Sequence, residues 1–198
     1  MHVAMPTVIR RGLLAVMLVA AIAGHAQELS FQLDAAQSHV EFTLDATLHT
    51  VHGKLSLKES TVQLDPKTGK ASGAIIVDAT SSNTGNDTRD HKMHKEVLES
   101  AKYREIVFAL QTIQGSVSLN GSSQVKLSGV MRIHGGEHPL TVSVPVQVAN
   151  SQATADVHFT VPYVQWGMKD PSTFLLHVSK EVQIDVHAVG SLAEGPKP

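Results

Sequence analysis

The sequence contains no cysteine. Disulfides, thiol catalysis, iron–sulfur clusters and zinc fingers are excluded with it, as is the cysteine-linked lipid anchor of a lipoprotein. Packing alone must hold the fold. Aromatic residues are scarce, 4% of the chain. Val, Leu, Ile and Met must therefore line an interior, and they leave room that stacked rings would take. No block of like charge is present, and the net charge is only −2. That argues against a nucleic-acid surface and against a patch for anionic membranes. Catalytic signatures are missing too. There is no Gly-x-Ser-x-Gly elbow, no His-Glu-x-x-His and no marked carboxylate pair, so the chain reads as a non-enzyme.

Long apolar runs are also absent, with one exception. Residues 12–23 are apolar and follow Arg10 and Arg11, and small residues stand at Gly24 and Ala26. The run falls short of the roughly 20 residues of a membrane-spanning helix. It fits a secretory signal peptide over residues 1–26, cleaved before Gln27. Residues 27–192 then form one domain, and residues 193–198 read as a flexible tail.

What is present is strand signal. Val40, Phe42 and Leu44 alternate with polar neighbours, as do Leu140, Val142, Val144, Val146 and Val148, and later Val182, Ile184 and Val186. Period-two alternation gives each strand one apolar and one wet face. Turn signals at residues 65–69, Asn120 with Gly121, and Gly135 with Gly136 make short connections between antiparallel neighbours. Pro145 and Pro162 lie within strand patterns. Neither can donate to a ladder, so they predict edges, bulges or breaks. The expected fold class is all-β, an antiparallel barrel or sandwich of about eight strands.

One segment departs from this pattern. After Asn83 and Gly85, the residues Met93, Val97, Leu98 and Ala101 recur at helical spacing, with Asp87 or Thr88 as candidate caps. Such a helix is too short to stand alone and must lie on apolar surface, such as the open end of a barrel. His91 and His94 fall at i, i+3 within it. They motivate an alternative function, a periplasmic metal-binding protein using surface histidines, although two ligands do not complete a zinc site.

The same segment carries a resemblance. The Ser-x-Asn-Thr-Gly turn of residues 81–85, the pair Arg89 and Asp90, the short apolar helix, and Tyr103, Ile106 and Phe108 at the next strand resemble the signature of the YceI-like family of periplasmic polyisoprenoid-binding barrels. Ser38 and His39 before Phe42, Gly53, and residues 128–135 with Pro139 extend the resemblance over nearly the whole mature chain. Departures stand at Glu105, in place of a proline, at the reversed order of Ser38 and His39, and at residues 163–167. There Gly167 is kept but the family's Arg and Asp are missing.

The resemblance implies a lipocalin-like barrel with a short helical lid. It implies a long-chain isoprenoid lipid or quinone as bound ligand, no other cofactor, and a membrane donor or acceptor protein as partner. The expected location is the periplasm, as monomer or homodimer. Candidate ligand-contacting residues are Phe42, Met93, Leu98, Phe108, Met131 and Trp166, each of which ordinary core packing would also explain. Arg89 and Asp90 either orient a polar head group or fix the lid to the barrel rim. Tyr103 either packs under the helix or sits at the mouth.

Overall fold

The computed structural model describes residues 28–195. The expected signal peptide lies outside them. Ten strands follow in order: β1 (Leu29–Leu33), β2 (His39–Asp45), β3 (Thr50–Leu57), β4 (Ser60–Asp65), β5 (Lys70–Asn83), β6 (Glu105–Gln114), β7 (Gly121–Ile133), β8 (Gly136–Ala149), β9 (Gln152–Val161) and β10 (Val182–Glu194). A short helix, α1 (Asp87–Lys92), and a π-helical turn, Met93–Val97, lie between β5 and β6.

All pairings are antiparallel and the sheet closes on itself. Ten strands make eight staves, because two staves are broken. β10 pairs with β2 along its first half and with β1 along its second, while β5 pairs with β4 along its first half and with β3 along its second. The expected eight-stranded barrel with one short helix is therefore the observed one.

Side chains at the breaks replace the lost ladder. Asp34 Oδ1 accepts from the amides of Ala36 and Gln37. The buried Ser38 hydroxyl donates to the Val189 carbonyl at 3.1 Å and accepts from the Val189 amide at 2.9 Å. At the other break, Ser60 Oγ accepts from the Ile76 amide and donates to the Lys58 carbonyl. Each break shifts the inward parity. Leu33 is inward and odd, then Val40 and Phe42 are inward and even; Leu57 is odd, then Val62 and Leu64 are even. Thus the apolar face stays inside across the interruption.

The two prolines mark limits of pairing. The β8–β9 ladder runs from Ala149 back to Val146 and stops at Pro145, which has no amide to give. Pro162 follows the last residue of β9. Two residues expected in a flexible tail are strand. Ala193 and Glu194 belong to β10 and pair with Ser30 and Leu29, so the strand outlasts its apolar pattern.

Gly53 shows how closely the inner face is fitted. It pairs with Phe42, whose ring lies across it, and a Cβ there would stand 2.3 Å from Phe42 Cζ and 2.9 Å from the Asn83 carbonyl oxygen. Gly53→Val forces the ring or β5 to move. We expect a loss of about 1–3 kcal/mol from overpacking, read as a lower denaturant midpoint with unchanged slope.

Candidate functional site

The barrel is hollow. A cavity of about 620 Å³ runs inside it, walled by the inward-facing residues of the strands, among them Val40 and Phe42, Phe108 and Leu110, Met131 and Ile133, Leu140 and Val142, and Ile184 and Val186. One strand shows its depth. Leu140, Val142, Val144 and Val146 of β8 all reach the cavity, a wall about 20 Å long at about 3.4 Å per residue. The wall is almost wholly apolar, aliphatic side chains joined by Phe31, Phe42, Phe108 and Phe159. Apart from Thr154 at the far end, the polar lining residues gather at the end that carries α1: His49, Ser82, Thr84, Asn86, Thr88, Arg89, Lys92 and Tyr163.

The lid is built from local polar chemistry. The Asn83 side chain accepts from the Gly85 amide at 2.8 Å, closing a turn in which Gly85 holds φ +76. Asn86 caps α1, its side chain accepting from the Arg89 amide at 3.0 Å, where Asp87 or Thr88 had been the expected cap. Arg89 and Asp90 do not pair with each other; both grip Thr84. The Asp90 carboxylate accepts from the Thr84 amide at 2.9 Å and from its hydroxyl, and the Arg89 guanidinium donates to the Thr84 hydroxyl at 2.8 Å and carbonyl at 3.1 Å. Beyond Lys92 the hydrogen bonds lengthen to the π pattern, Leu98 N to Met93 O at 2.9 Å. Met93, Val97 and Leu98 line the cavity, whereas Ala101 lies past the helix and is exposed.

His94 locks the far end of the lid. Its Nε2 donates to the Ser82 carbonyl at 2.9 Å, and Nδ1 meets the Ser100 hydroxyl at 2.8 Å. Both ring nitrogens are thus engaged, and the expected metal pair His91 and His94 is not free to form. Among the described residues no cluster of three or more His, Asp or Glu could hold a metal ion.

The geometry agrees with what known proteins offer for comparison. A family model for the YceI-like domain matches residues 31–190. The chain belongs to the YceI-like family. No curated protein sequence matches it. Among solved structures, a polyisoprenoid binding domain from Saccharophagus degradans is 15% identical with TM-score 0.64, over 82% of this chain and 98% of that one. BcnA of Burkholderia cenocepacia is 22% identical with TM-score 0.65, over 79% and 98%. A YceI protein of Campylobacter jejuni is 14% identical with TM-score 0.56, over 76% and 88%.

Within this YceI-like barrel, six of the nine candidate residues reach the cavity: Phe42, Arg89, Met93, Leu98, Phe108 and Met131. Three do not. Asp90 is buried on Thr84, behind the wall. Tyr103 precedes β6 with outward parity, since Ile106, Phe108 and Leu110 are the inward set; its ring packs on Gly135 and lies 4.9 Å from the His134 ring. Trp166 sits in a turn where its own amide donates to the Pro162 carbonyl, and its indole stacks on His138 at 4.3 Å, pinning the β9–β10 connection to β8.

Sequence reasoning missed the residues that this connection brings inward, Tyr163, Met168, Leu176 and Val178. No periodicity marks them, because they lie outside strands. The inward residues of β8 and β10 were legible as alternating strands and needed only a choice of parity.

Tyr163 is held tightly. Its hydroxyl donates to the Ser179 carbonyl at 2.8 Å. Burial, reinforced by the Asp170 carboxylate, pushes its pKa from 10.0 up to about 12. The unfolded chain therefore loses this proton first, and stability falls as pH rises from about 10 to about 12. Tyr163→Phe removes that contribution to alkaline unfolding and costs about 1–3 kcal/mol at neutral pH, because the Ser179 carbonyl loses its donor. Denaturant titrations across pH check both halves. Thr84→Val deprives Asp90 and Arg89 of the hydroxyl they share and leaves the backbone bonds. We expect faster hydrogen exchange at the amides of residues 86–98 while those of β7 and β8 keep their protection.

Proposed function

We propose that this protein binds a long-chain isoprenoid, or a similar amphipathic lipid, inside the barrel, without catalysis and in the periplasm. One observation carries the reading: an apolar cavity of about 620 Å³ whose polar lining residues, Thr154 apart, are gathered at a single end. Its size falls within the roughly 300–1,000 Å³ of ligand-holding cavities. The tail lies along β8 and β10, and the head group lies near Thr84, Arg89 and Lys92. The likeness to a polyisoprenoid binding domain supports the same ligand class.

Magnitudes rank the contacts. Ten buried methylenes contribute about 8 kcal/mol gross, before ordering costs. A neutral hydrogen bond to the head adds about 1 kcal/mol net. Tail length and cavity depth therefore set affinity, and head-group choice is loose. Location rests on the apolar residues 12–23 and the small residues before Gln27. A mature chain that begins at Gln27 in the periplasmic fraction is the expected outcome.

The decisive experiment is mass spectrometry of lipid extracted from the protein purified from its native membrane-containing source. A long-chain isoprenoid or comparable lipid in near-stoichiometric amount is expected. Val142→Trp places an indole in the cavity without touching the rim, and should lower uptake of a fluorescent polyprenyl probe at least tenfold. Uptake undiminished by that filling would refute the internal site.

A further inference from the structure

Three of the large apolar side chains exposed on the described surface lie on two connections that are bonded to each other. Leu48 is 79% exposed, Phe174 95% and Leu175 81%. Leu48 lies on the β2–β3 connection, and Phe174 and Leu175 lie on the β9–β10 connection. The two connections are joined. The Thr47 amide donates to the His177 carbonyl at 2.9 Å, the His177 amide donates to Thr47 Oγ1 at 3.1 Å, and Ala46 pairs with Val178. Phe174 and Leu175 form the apex of a closed turn. The Thr173 amide donates to the Leu176 carbonyl at 2.8 Å, and the Leu176 amide to Thr173 Oγ1 at 3.2 Å. The apex is held out in water by its own backbone, not draped over the barrel.

Its position is at the cavity end that carries the lid. Ala46, His49, Leu176 and Val178, neighbours of the tip in both connections, line the cavity. Apolar surface therefore continues from the inner wall to the outermost side chains. Residues 46–50 and 171–178 contain no Asp, Glu, Lys or Arg. Of the charges that flank them, Lys169 pairs with Glu96 at 2.6 Å, Asp45 accepts from the Thr50 hydroxyl at 2.9 Å, and the Asp170 carboxyl is held low by hydrogen bonds from Ser172 and by the nearby charge of Lys180.

We infer that Leu48, Phe174 and Leu175 form a membrane-docking tip that inserts into the surface of an uncharged lipid bilayer and sets the cavity mouth against it. The inference rests on the lipid-binding reading for its purpose. Area separates a bilayer from a protein partner. Three such side chains offer on the order of 450 Å², at about 150 Å² each, against about 800 Å² per partner in a stable protein interface. That area is small for a second copy and ordinary for shallow insertion, which needs no complementary shape. The uncharged loops let the tip enter without carrying an ion into the interface. A chain-like ligand leaving the cavity would pass from apolar wall to apolar tip to bilayer without crossing open water.

The test uses the chain from Gln27 onward. It contains the whole closed sheet, residues 29–194, and lacks the apolar residues 12–23. Flotation with phosphatidylcholine vesicles should carry the protein upward, with little effect of added salt. Leu48→Ser, Phe174→Ser and Leu175→Ser should each weaken partitioning about tenfold, and the triple variant should stay with the soluble fraction while melting as the parent does. Leu119→Ser, at the opposite end of the barrel, should float like the parent. A parent that ignores vesicles, or a triple variant that floats equally well, overturns the inference. So does a parent dimer that becomes monomeric in the triple variant without vesicle binding, because the tip is then a protein interface.

Uptake of a polyprenol probe separates this from the ligand reading. The triple variant should load normally from detergent micelles and slowly from vesicles. A parent that floats but loads from neither source defeats lipid carriage and leaves the docking tip standing. A parent that loads from micelles but never floats defeats the tip alone.

Discussion

Closure imposes one rule on the whole structure: every second residue of every stave must face an apolar interior. A single strand obeys it by alternation. A closed sheet must obey it around the full circumference, where a one-residue slip would turn charge inward and valine outward. The two broken staves meet the rule by changing parity at the break. Leu33 hands over to Val40 across residues 34–38, and Leu57 to Val62 across residues 58 and 59. The hydroxyls of Ser38 and Ser60 make this tolerable, because they bond to the backbone of β10 and β5 where strand amides would otherwise be left unpaired. β5 changes parity a third time. Ile75 and Val77 face in, and beyond an irregularity held by Ser81 so do Ser82 and Thr84. That last change puts hydroxyls, not aliphatics, at the lid end, where they join the polar residues of α1 on the rim.

The interior obeys the rule without being filled. Side chains that border empty space lose dispersion contacts on one side, so the unliganded barrel is held below the stability of a solid core of equal area. Anything that fills the cavity returns those contacts and stabilises the fold by mass action. Phe42 is fitted against Gly53, which has no side chain to meet its ring, whereas Phe108 stands between Ile75 and Met131 on the neighbouring strands.

Much of this architecture was legible in the residues. Alternation gave the strands, Pro145 and Pro162 gave the ends of pairing, and the sequence after Asn83 gave the one helical insertion. Six of nine proposed ligand contacts lie on the cavity wall because alternation or helical spacing fixes direction at those positions. The three that lie elsewhere fail for separate physical reasons. Tyr103 precedes its strand with the wrong parity. Trp166 belongs to an irregular turn with no period to read. Asp90 finds partners in Thr84, six residues away, and a two-residue polar motif does not reveal whether its partner is internal or a ligand. Arg89 illustrates the overlap: it grips Thr84 and also lines the cavity.

The lid joins these threads. Six residues of α1 and one π-helical turn cannot persist as an isolated helix. Polar anchors hold both ends, Thr84 with Arg89 and Asp90 at one, His94 with Ser82 and Ser100 at the other. Between the anchors, Met93, Val97 and Leu98 face the cavity. Met93 packs there against the cluster of Val40 and Phe42, and Val97 and Leu98 against that of Met131 and Ile133. With a chain beneath them they gain contacts that the anchors alone do not supply. Lid closure and cavity occupancy therefore favour each other by the same free energy, read from either side. The π-helical turn, Met93–Val97, carries two of these residues and the His94 anchor, so the least regular part of the lid both faces the cavity and is tied to β5.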